Sequence, residues 1–218
     1  MSYFTVDFAL SFSGMNFKSK LSTMKTNLLL IIFFLGCSTS LFAQQNKLNN
    51  VAAVLFKNVK TKLTIEEQNY IATKLGFVLS ADKDQLFALD KDSKDYPFAA
   101  TAMPTDMNKD GKEEVFIFFG NSYTSGNTGS SIALFIKNSA GVYTLNLGFP
   151  GTMPEALATS NQSYPDLLIG GPGMEFPVLR WNGKEYDNYK TVKDADYGKL
   201  KTTSVEEISK AYQATIKV

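Results

Sequence analysis

The chain has 218 residues, of which 22 are basic and 21 acidic, so its formal net charge is +1. This balance, without a basic stripe, argues against a nucleic-acid partner. The chain has no histidine and a single cysteine, so it lacks the ligands that zinc, copper and haem iron prefer. A bound metal is therefore expected to be one that takes oxygen ligands.

Residues 24–43 have the pattern of a secretory signal peptide. A lysine precedes the apolar run LLLIIFFL at 28–35, and small residues lead to a predicted cleavage site after Ala43. The run is shorter than the roughly 20 apolar residues that a transmembrane helix needs. We therefore expect a periplasmic or secreted protein without a membrane span, in which residues 1–23 are a non-native upstream extension.

An alternative interpretation is that FLGC, residues 34–37, is a lipoprotein box. In that case a lipid on Cys37 would anchor the exported protein to a membrane. In either case the remaining residues, 44–218, contain no cysteine and cannot form a disulfide. Removal of residues 1–43 takes away three lysines and one aspartate, which leaves 19 basic and 20 acidic residues. We expect 44–218 to fold as one domain.

The N-terminal part of this domain, residues 47–76, has helical periodicity and is predicted to form two short helices. Thr64 and Glu67 form a capping box before the second helix, and Gly76 suits the left-handed position after its end. The next segments, FVLSA and QLFAL, are separated by the turn DKD and are predicted to form a small hairpin.

Residues 98–192 are rich in strand signals separated by glycine, asparagine and proline. Seven strands are predicted, at 98–103, 114–120, 131–138, 142–148, 166–171, 177–183 and 185–192. An amphipathic helix is predicted at 203–216, with Thr203 and Glu206 as its capping box. The expected fold class is α+β, with N-terminal helices, an antiparallel sheet of six or seven strands and a C-terminal helix.

A faint internal repeat appears when Val115 is aligned with Leu167, an offset of 52 residues. Each copy has an entry loop, an apolar strand, a glycine-rich loop, a second apolar strand, a tight turn and a tyrosine-bearing strand. We therefore expect the sheet to consist of two meander units that resemble propeller blades. In the second entry loop only Asp166 keeps an acidic side chain, so a metal site in the first loop would not be repeated.

The first entry loop, DMNKDGKEEV at 106–115, concentrates acidic side chains immediately before an apolar strand. Side-chain oxygens fall at loop positions 1, 3, 5 and 9, which are Asp106, Asn108, Asp110 and Glu114. Gly111 permits a positive φ at position 6, and the carbonyl of Lys112 offers a further oxygen at position 7. With water, these groups reach the six to eight oxygens that calcium takes. An exposed acidic turn with no ion is the plainer alternative.

The stretch DMNKDGKEEVFIFFG resembles the calcium loops of FG-GAP and related VCBS-type repeats, in which a similar loop leads into an apolar strand. An EF-hand would instead carry glutamate at position 12, where this chain has Ile117, and would continue as a helix. The resemblance implies a Ca²⁺ site and no activity. The two units are too few for a closed propeller. The wider layout of the chain is similar to an uncharacterised group of exported bacterial proteins.

These features favour an exported, calcium-stabilised, non-catalytic binding or structural module whose partner is a protein or a glycan. The alternative is a secreted hydrolase that uses carboxylates, a calcium-bound water, or Ser80 with Lys83 in the Ser-x-x-Lys pattern SADK. A binding role is open for the polar loop at 121–131. Trp181, the only tryptophan, is interpreted as core or as a ligand platform.

Overall fold

The computed structural model describes residues 47–84, 86–159, 163–170 and 175–217. The predicted signal peptide, its upstream extension and Cys37 lie outside the described residues, as does part of the glycine cluster at 170–173. Residues Gln45–Val218 form one compact unit. Within the described residues, no helix combines the length and the apolar character needed to cross a bilayer.

Two helices begin the unit, α1 at Asn50–Leu55 and α2 at Ile65–Leu75. The predicted capping box of α2 is confirmed, because Thr64 accepts the amide of Glu67 while the Glu67 carboxylate accepts the amide of Thr64. Gly76 ends α2 with φ of 73°, a left-handed conformation that costs glycine little.

Eleven strands follow in the described residues, and all their pairings are antiparallel. Their bounds are β1 Val78–Leu79, β2 Phe87–Ala88, β3 Ala100–Thr105, β4 Glu114–Phe119, β5 Ser131–Lys137, β6 Tyr143–Pro150, β7 Glu155–Leu157, β8 Asp166–Leu168, β9 Phe176–Trp181, β10 Tyr186–Val192 and β11 Thr202–Ser204. The first two pair as the predicted small hairpin. The others form a four-stranded sheet, ordered β3-β4-β5-β6, and a five-stranded sheet, ordered β10-β9-β8-β7-β11.

Both predicted meander units are therefore present, and the α+β fold class is confirmed. Each of the seven predicted strands overlaps an observed one, but the expected single sheet of six or seven strands is wrong. Nine strands are divided between two sheets, one for each meander unit, and the two strands that were not predicted, β7 and β11, pair with each other in the second sheet. β7, with sequence EAL, includes two residues of low strand propensity, and β11, with sequence TTS, is entirely polar, so neither has the apolar pattern that indicates a strand.

The four-stranded sheet is the middle layer of the unit, and its two faces contact different partners. Val115 and Ile117 of β4 belong to the core cluster that includes α1 and α2. Phe116, between them, belongs to a second cluster with residues of the five-stranded sheet, because side chains alternate along a strand. Burial on both faces explains why β4 reads as an uninterrupted apolar run.

Three further helices are short or terminal: α3 at Ser122–Ser125, α4 at Asp194–Tyr197 and α5 at Val205–Thr215. A 3₁₀ turn at Gly126–Thr128 follows α3, so the polar loop at 121–131 is partly helical. Tyr197 of α4 packs on the outer face of the five-stranded sheet.

The predicted C-terminal helix is present as α5, and it packs against the middle sheet. Val205 is fully buried, and the hydroxyl of Ser209 donates to the carbonyl of Pro104 at 2.8 Å. The predicted capping box of Thr203 and Glu206 is wrong by one residue. Ser204 and Glu207 form the box instead, because the helix begins at Val205, which makes Ser204, the last residue of β11, the N-cap.

Candidate metal centre

The acidic loop connects β3 to β4, and hydrogen bonds within the loop fold it tightly. Gly111 has φ of 82° and its amide donates to both carboxylate oxygens of Asp106, at 3.3 and 3.2 Å. The amide of Asp110 donates to Asn108 Oδ1 at 3.1 Å, and the amide of Lys112 donates to Asp110 Oδ1 at 2.8 Å. Side-chain oxygens thus turn toward the loop's own backbone.

This folding brings three carboxylates together. Asp106, Asp110 and Glu114 each offer an oxygen, and these oxygens all lie within 4.8 Å of one another. Asp110 is exposed, Asp106 is half-buried and Glu114 is buried. Within the described part of the chain, no lysine or arginine forms an ion pair with any of the three. Negative charge therefore accumulates at one point without a positive partner.

Glu114 is the innermost carboxylate, with 2% of its surface exposed. Its Oε2 accepts the amide of Met107 at 2.8 Å and the hydroxyl of Thr105 at 3.0 Å, and its Oε1 accepts the hydroxyl of Tyr164 at 3.1 Å. Burial raises the pKa of Glu114 to about 7, although these donors act in the opposite direction. A nearby cation would favour the ionised form.

The equivalent position of the second meander is occupied by Asp166, which is also buried. Its carboxylate receives two hydrogen bonds from the Arg180 guanidinium, Nε to Oδ1 at 2.9 Å and Nη2 to Oδ2 at 2.7 Å. The guanidinium in turn lies 3.4 Å from the centre of the Tyr189 ring. A fixed side-chain cation thus neutralises the buried acid of the second meander, whereas Glu114 has neutral donors and two other acids beside it and, among the described residues, no basic partner.

The fourth acid of the loop region, Glu113, serves a different purpose. It is buried immediately before β4, where its carboxylate accepts the amide of Lys62 at 2.7 Å and the hydroxyl of Thr61. Its backbone carbonyl accepts the hydroxyl of Tyr143 at 2.8 Å. Glu113 therefore ties the segment between α1 and α2 to the middle sheet and does not join the carboxylate cluster.

The predicted ligands are thus placed in two groups. The carboxylates of Asp106, Asp110 and Glu114 come together. Asn108 and Lys112 lie in the same loop, where each forms a hydrogen bond with Asp110. Lys112 is exposed, as is Lys109, which adopts a positive φ of 60°. A role for Asn108 and for the Lys112 carbonyl as ligands stays a prediction.

Ser80 and Lys83, which the alternative hydrolase would use, lie in the bend between β1 and β2. The Ser80 hydroxyl accepts the amide of Asp82 at 3.0 Å, and Lys83 is exposed. Such a bond from a serine to the backbone two residues later is typical of a turn.

Sequence reasoning missed two residues that hold Glu114. Thr105 lies directly opposite Glu114 in the register of β3 and β4. The predicted strand ended at residue 103, and its extension to the start of the loop would have identified this pair. Tyr164 reaches Glu114 from the connection between β7 and β8, and no local signal links positions 50 residues apart.

No protein-family model, curated protein or solved structure matches the chain. The resemblance of the acidic loop to FG-GAP and VCBS-type repeats therefore rests on its own residues and stays a prediction.

Proposed function

We propose that the protein is an exported, calcium-stabilised binding or structural module without catalysis. The observation that carries the proposal is the convergence of the Asp106, Asp110 and Glu114 carboxylates with no basic partner among the described residues. Export is inferred from the signal-peptide pattern at 24–43.

The carboxylate cluster fits calcium by chemistry and by size. Calcium prefers oxygen ligands at about 2.3–2.6 Å, so two ligands on opposite sides of one ion are separated by about 5 Å. The three carboxylate oxygens, all within 4.8 Å of one another, satisfy that limit. Calcium would supply the positive charge that Arg180 supplies to Asp166 in the second meander.

A stabilising role is favoured over a catalytic one by what surrounds Glu114. Its donors come from the end of β3, from the acidic loop and, through Tyr164, from the connection between β7 and β8. By favouring the ionised form of Glu114, a bound ion would strengthen the hydrogen bond through which Tyr164 joins the second meander to the first. The buried carboxylate of the second meander, Asp166, accepts two hydrogen bonds from Arg180 and so is not free to act as a catalytic acid.

The test is thermal unfolding of the purified protein with calcium and with a chelator. At about 100 times its dissociation constant, an ion that binds only the folded state adds about 2.7 kcal/mol, which corresponds to a Tm increase of about 5–10 °C. Asp110→Ala should abolish the increase, because Asp110 is exposed and its loss removes a ligand without opening the core.

Asp84→Ala is the matched control, since Asp84 is an exposed acid in a different acidic bend. It should keep the full response to calcium. An unchanged Tm for the wild-type protein, or an equal response in the Asp110→Ala variant, would reject the proposal.

A further inference from the structure

A cleft of about 640 Å³ lies between the tips of two hairpins. The β5–β6 hairpin contributes Asn138, Leu145 and Asn146 to its lining, and the β9–β10 hairpin contributes Trp181 and Lys184. Each meander therefore supplies one wall. The volume lies within the range of about 300–1,000 Å³ that is usual for small-molecule sites.

Two amide side chains in this cleft have their orientation fixed by the backbone. Asn138 Oδ1 accepts the amides of Ala140 at 3.0 Å and Val142 at 3.1 Å, and Asn146 Oδ1 accepts the amide of Tyr186 at 3.1 Å. Because the oxygens are engaged, the NH₂ groups must be directed elsewhere. Neither NH₂ group has a hydrogen-bond partner among the described residues, so both are available as donors to a ligand.

The position of Asn146 results from a β-bulge. Leu147 and Leu145 lie opposite consecutive residues of β5, so Asn146 is the extra residue between them. A bulge of this kind redirects a side chain that a regular strand would place elsewhere. Here it allows Asn146 to reach the start of β10 and to line the cleft.

The charges around the cleft nearly cancel. Lys137 lines it, but its Nζ lies 2.6 Å from the carboxylate of Glu67. The remaining charged residues of the lining, Lys184 and Glu185, are adjacent, exposed and of opposite sign. A neutral ligand therefore fits the cleft better than an anion or a cation does.

Trp181 supplies an aromatic surface on the same wall as Lys184. Its ring is half-buried and is positioned by Tyr164, with ring centres 4.6 Å apart, and by Tyr186, with centres 5.6 Å apart. A positioned aromatic ring can contact an apolar ligand face without loss of side-chain freedom. Leu145, 55% exposed, adds a second apolar surface to the lining.

We propose that this cleft binds a neutral saccharide. A pyranose ring has apolar C–H faces that match Trp181 and Leu145, and hydroxyls at its edge that can accept from Asn138 and Asn146 and donate to Glu185. The inference rests on the proposed binding function, and it names the class of ligand. It does not depend on the ion.

The experiment exposes the full-length protein, with calcium, to an array of immobilised neutral and acidic glycans and of short peptides. The soluble form of a bound glycan is then titrated into the protein. Trp181 is the only tryptophan, so its fluorescence reports directly on the cleft. We expect neutral glycans to bind and to change the emission of Trp181.

Asn146→Asp and Asn138→Asp test the donors, because aspartate keeps the oxygen that accepts from the backbone and loses the NH₂ group. Each should weaken glycan binding about 10-fold, which is the effect of one lost hydrogen bond. Asn188→Asp is the matched control, since Asn188 is exposed on β10 and does not line the cleft. It should bind as the wild type does.

The inference is overturned if the array captures no neutral glycan, if acidic glycans or peptides bind in preference, or if the two cleft variants bind as Asn188→Asp does. Failure of the saccharide inference would leave the calcium-dependent rise in Tm intact. Conversely, a Tm that does not respond to calcium, together with normal glycan binding, would reject only the calcium part of the proposed function.

Discussion

Glu114 and Asp166 are the first residues of β4 and β8, and each places a carboxylate in the interior. A buried carboxylate is costly unless a positive charge or several donors compensate it. Asp166 has the Arg180 guanidinium, whereas Glu114 has three neutral donors and two nearby acids. The two meanders thus place an acid at the same position and differ in what compensates it.

Removal of the Arg180 guanidinium should destabilise the folded protein, because the buried Asp166 carboxylate would lose its positive partner. We expect Arg180→Met to lower the free energy of unfolding by about 2–3 kcal/mol, somewhat less than for a fully buried pair because the Arg180 side chain is 31% exposed. Adding Asp166→Asn should restore part of the loss, since it removes the unpaired charge. Urea unfolding followed by fluorescence measures both variants.

The control for this prediction is Lys199→Met, which breaks the exposed ion pair with Asp196. Its effect should stay below about 1 kcal/mol, as is usual at the surface. A double variant less stable than Arg180→Met alone would show that the Asp166 charge is not what destabilises the single variant.

The raised pKa of Glu114 predicts a dependence of stability on pH in a chelator. The pKa of Glu114 is about 7 in the folded protein, against an ordinary value of 4.5. Between these two pH values the folded protein keeps a proton on Glu114 that the unfolded chain releases. The stabilising effect of this proton is complete below the lower value and is lost as pH rises through the higher one. The loss reaches about 3 kcal/mol at most.

Glu114→Gln should flatten this pH dependence, and the absence of histidine leaves few other groups that titrate in the same range. The measurement is urea unfolding of the wild type and of Glu114→Gln, with the chelator present, at pH values between the two pKa values of Glu114. Parallel pH profiles for the two proteins would contradict the assignment of the proton to Glu114.

Residues of the site could be predicted only where they lie close together in the sequence. The spacing of Asp106, Asp110 and Glu114 within one loop sufficed to predict that they converge. Arg180 and Tyr164 gave no such signal, because the residues that they contact are separated from them in sequence by whole strands or loops. Their roles follow from strand order, which a single sequence does not specify.

Secondary-structure elements were predictable where an apolar pattern indicated them, even in short strands such as β1, β2 and β8. The strands of the middle sheet are six to eight residues long, and each was anticipated. The strands β7 and β11 were missed because neither has an apolar strand pattern, and the predicted cap of α5 was one residue too early. Two hydroxyl residues, Thr203 and Ser204, both satisfied the capping pattern and both lie in β11, and the start of α5 at Val205 makes Ser204 the cap.

Substitution of these two hydroxyl residues distinguishes the two caps. Ser204→Ala should lower the free energy of unfolding by about 1 kcal/mol, because the amide of Glu207 loses its acceptor. Thr203→Ala should cost less, since Thr203 is exposed in a strand at the edge of its sheet. Urea unfolding of the two variants gives the comparison, and a larger effect of Thr203→Ala would favour the cap predicted from sequence.

At the scale of the whole molecule, the middle sheet joins two cores that lie on its opposite faces. Ile117 faces the helices and Leu134 faces the five-stranded sheet, and both are fully buried. Since every strand of the middle sheet contributes to both cores, loss of either core should destabilise the same backbone. We therefore expect the helices and the second sheet to unfold together.

Ile117→Ala and Leu134→Ala test this cooperativity. Each should lower the free energy of unfolding by about 2–5 kcal/mol through the cavity that it leaves. Far-ultraviolet circular dichroism follows the helices, and the fluorescence of Trp181 follows the five-stranded sheet. The two signals should give one midpoint in both variants, because unfolding of the shared sheet removes both cores. Should Ile117→Ala lower the midpoint seen by circular dichroism and leave the fluorescence midpoint in place, the helices would be an independently unfolding layer, and the middle sheet would not couple the two faces.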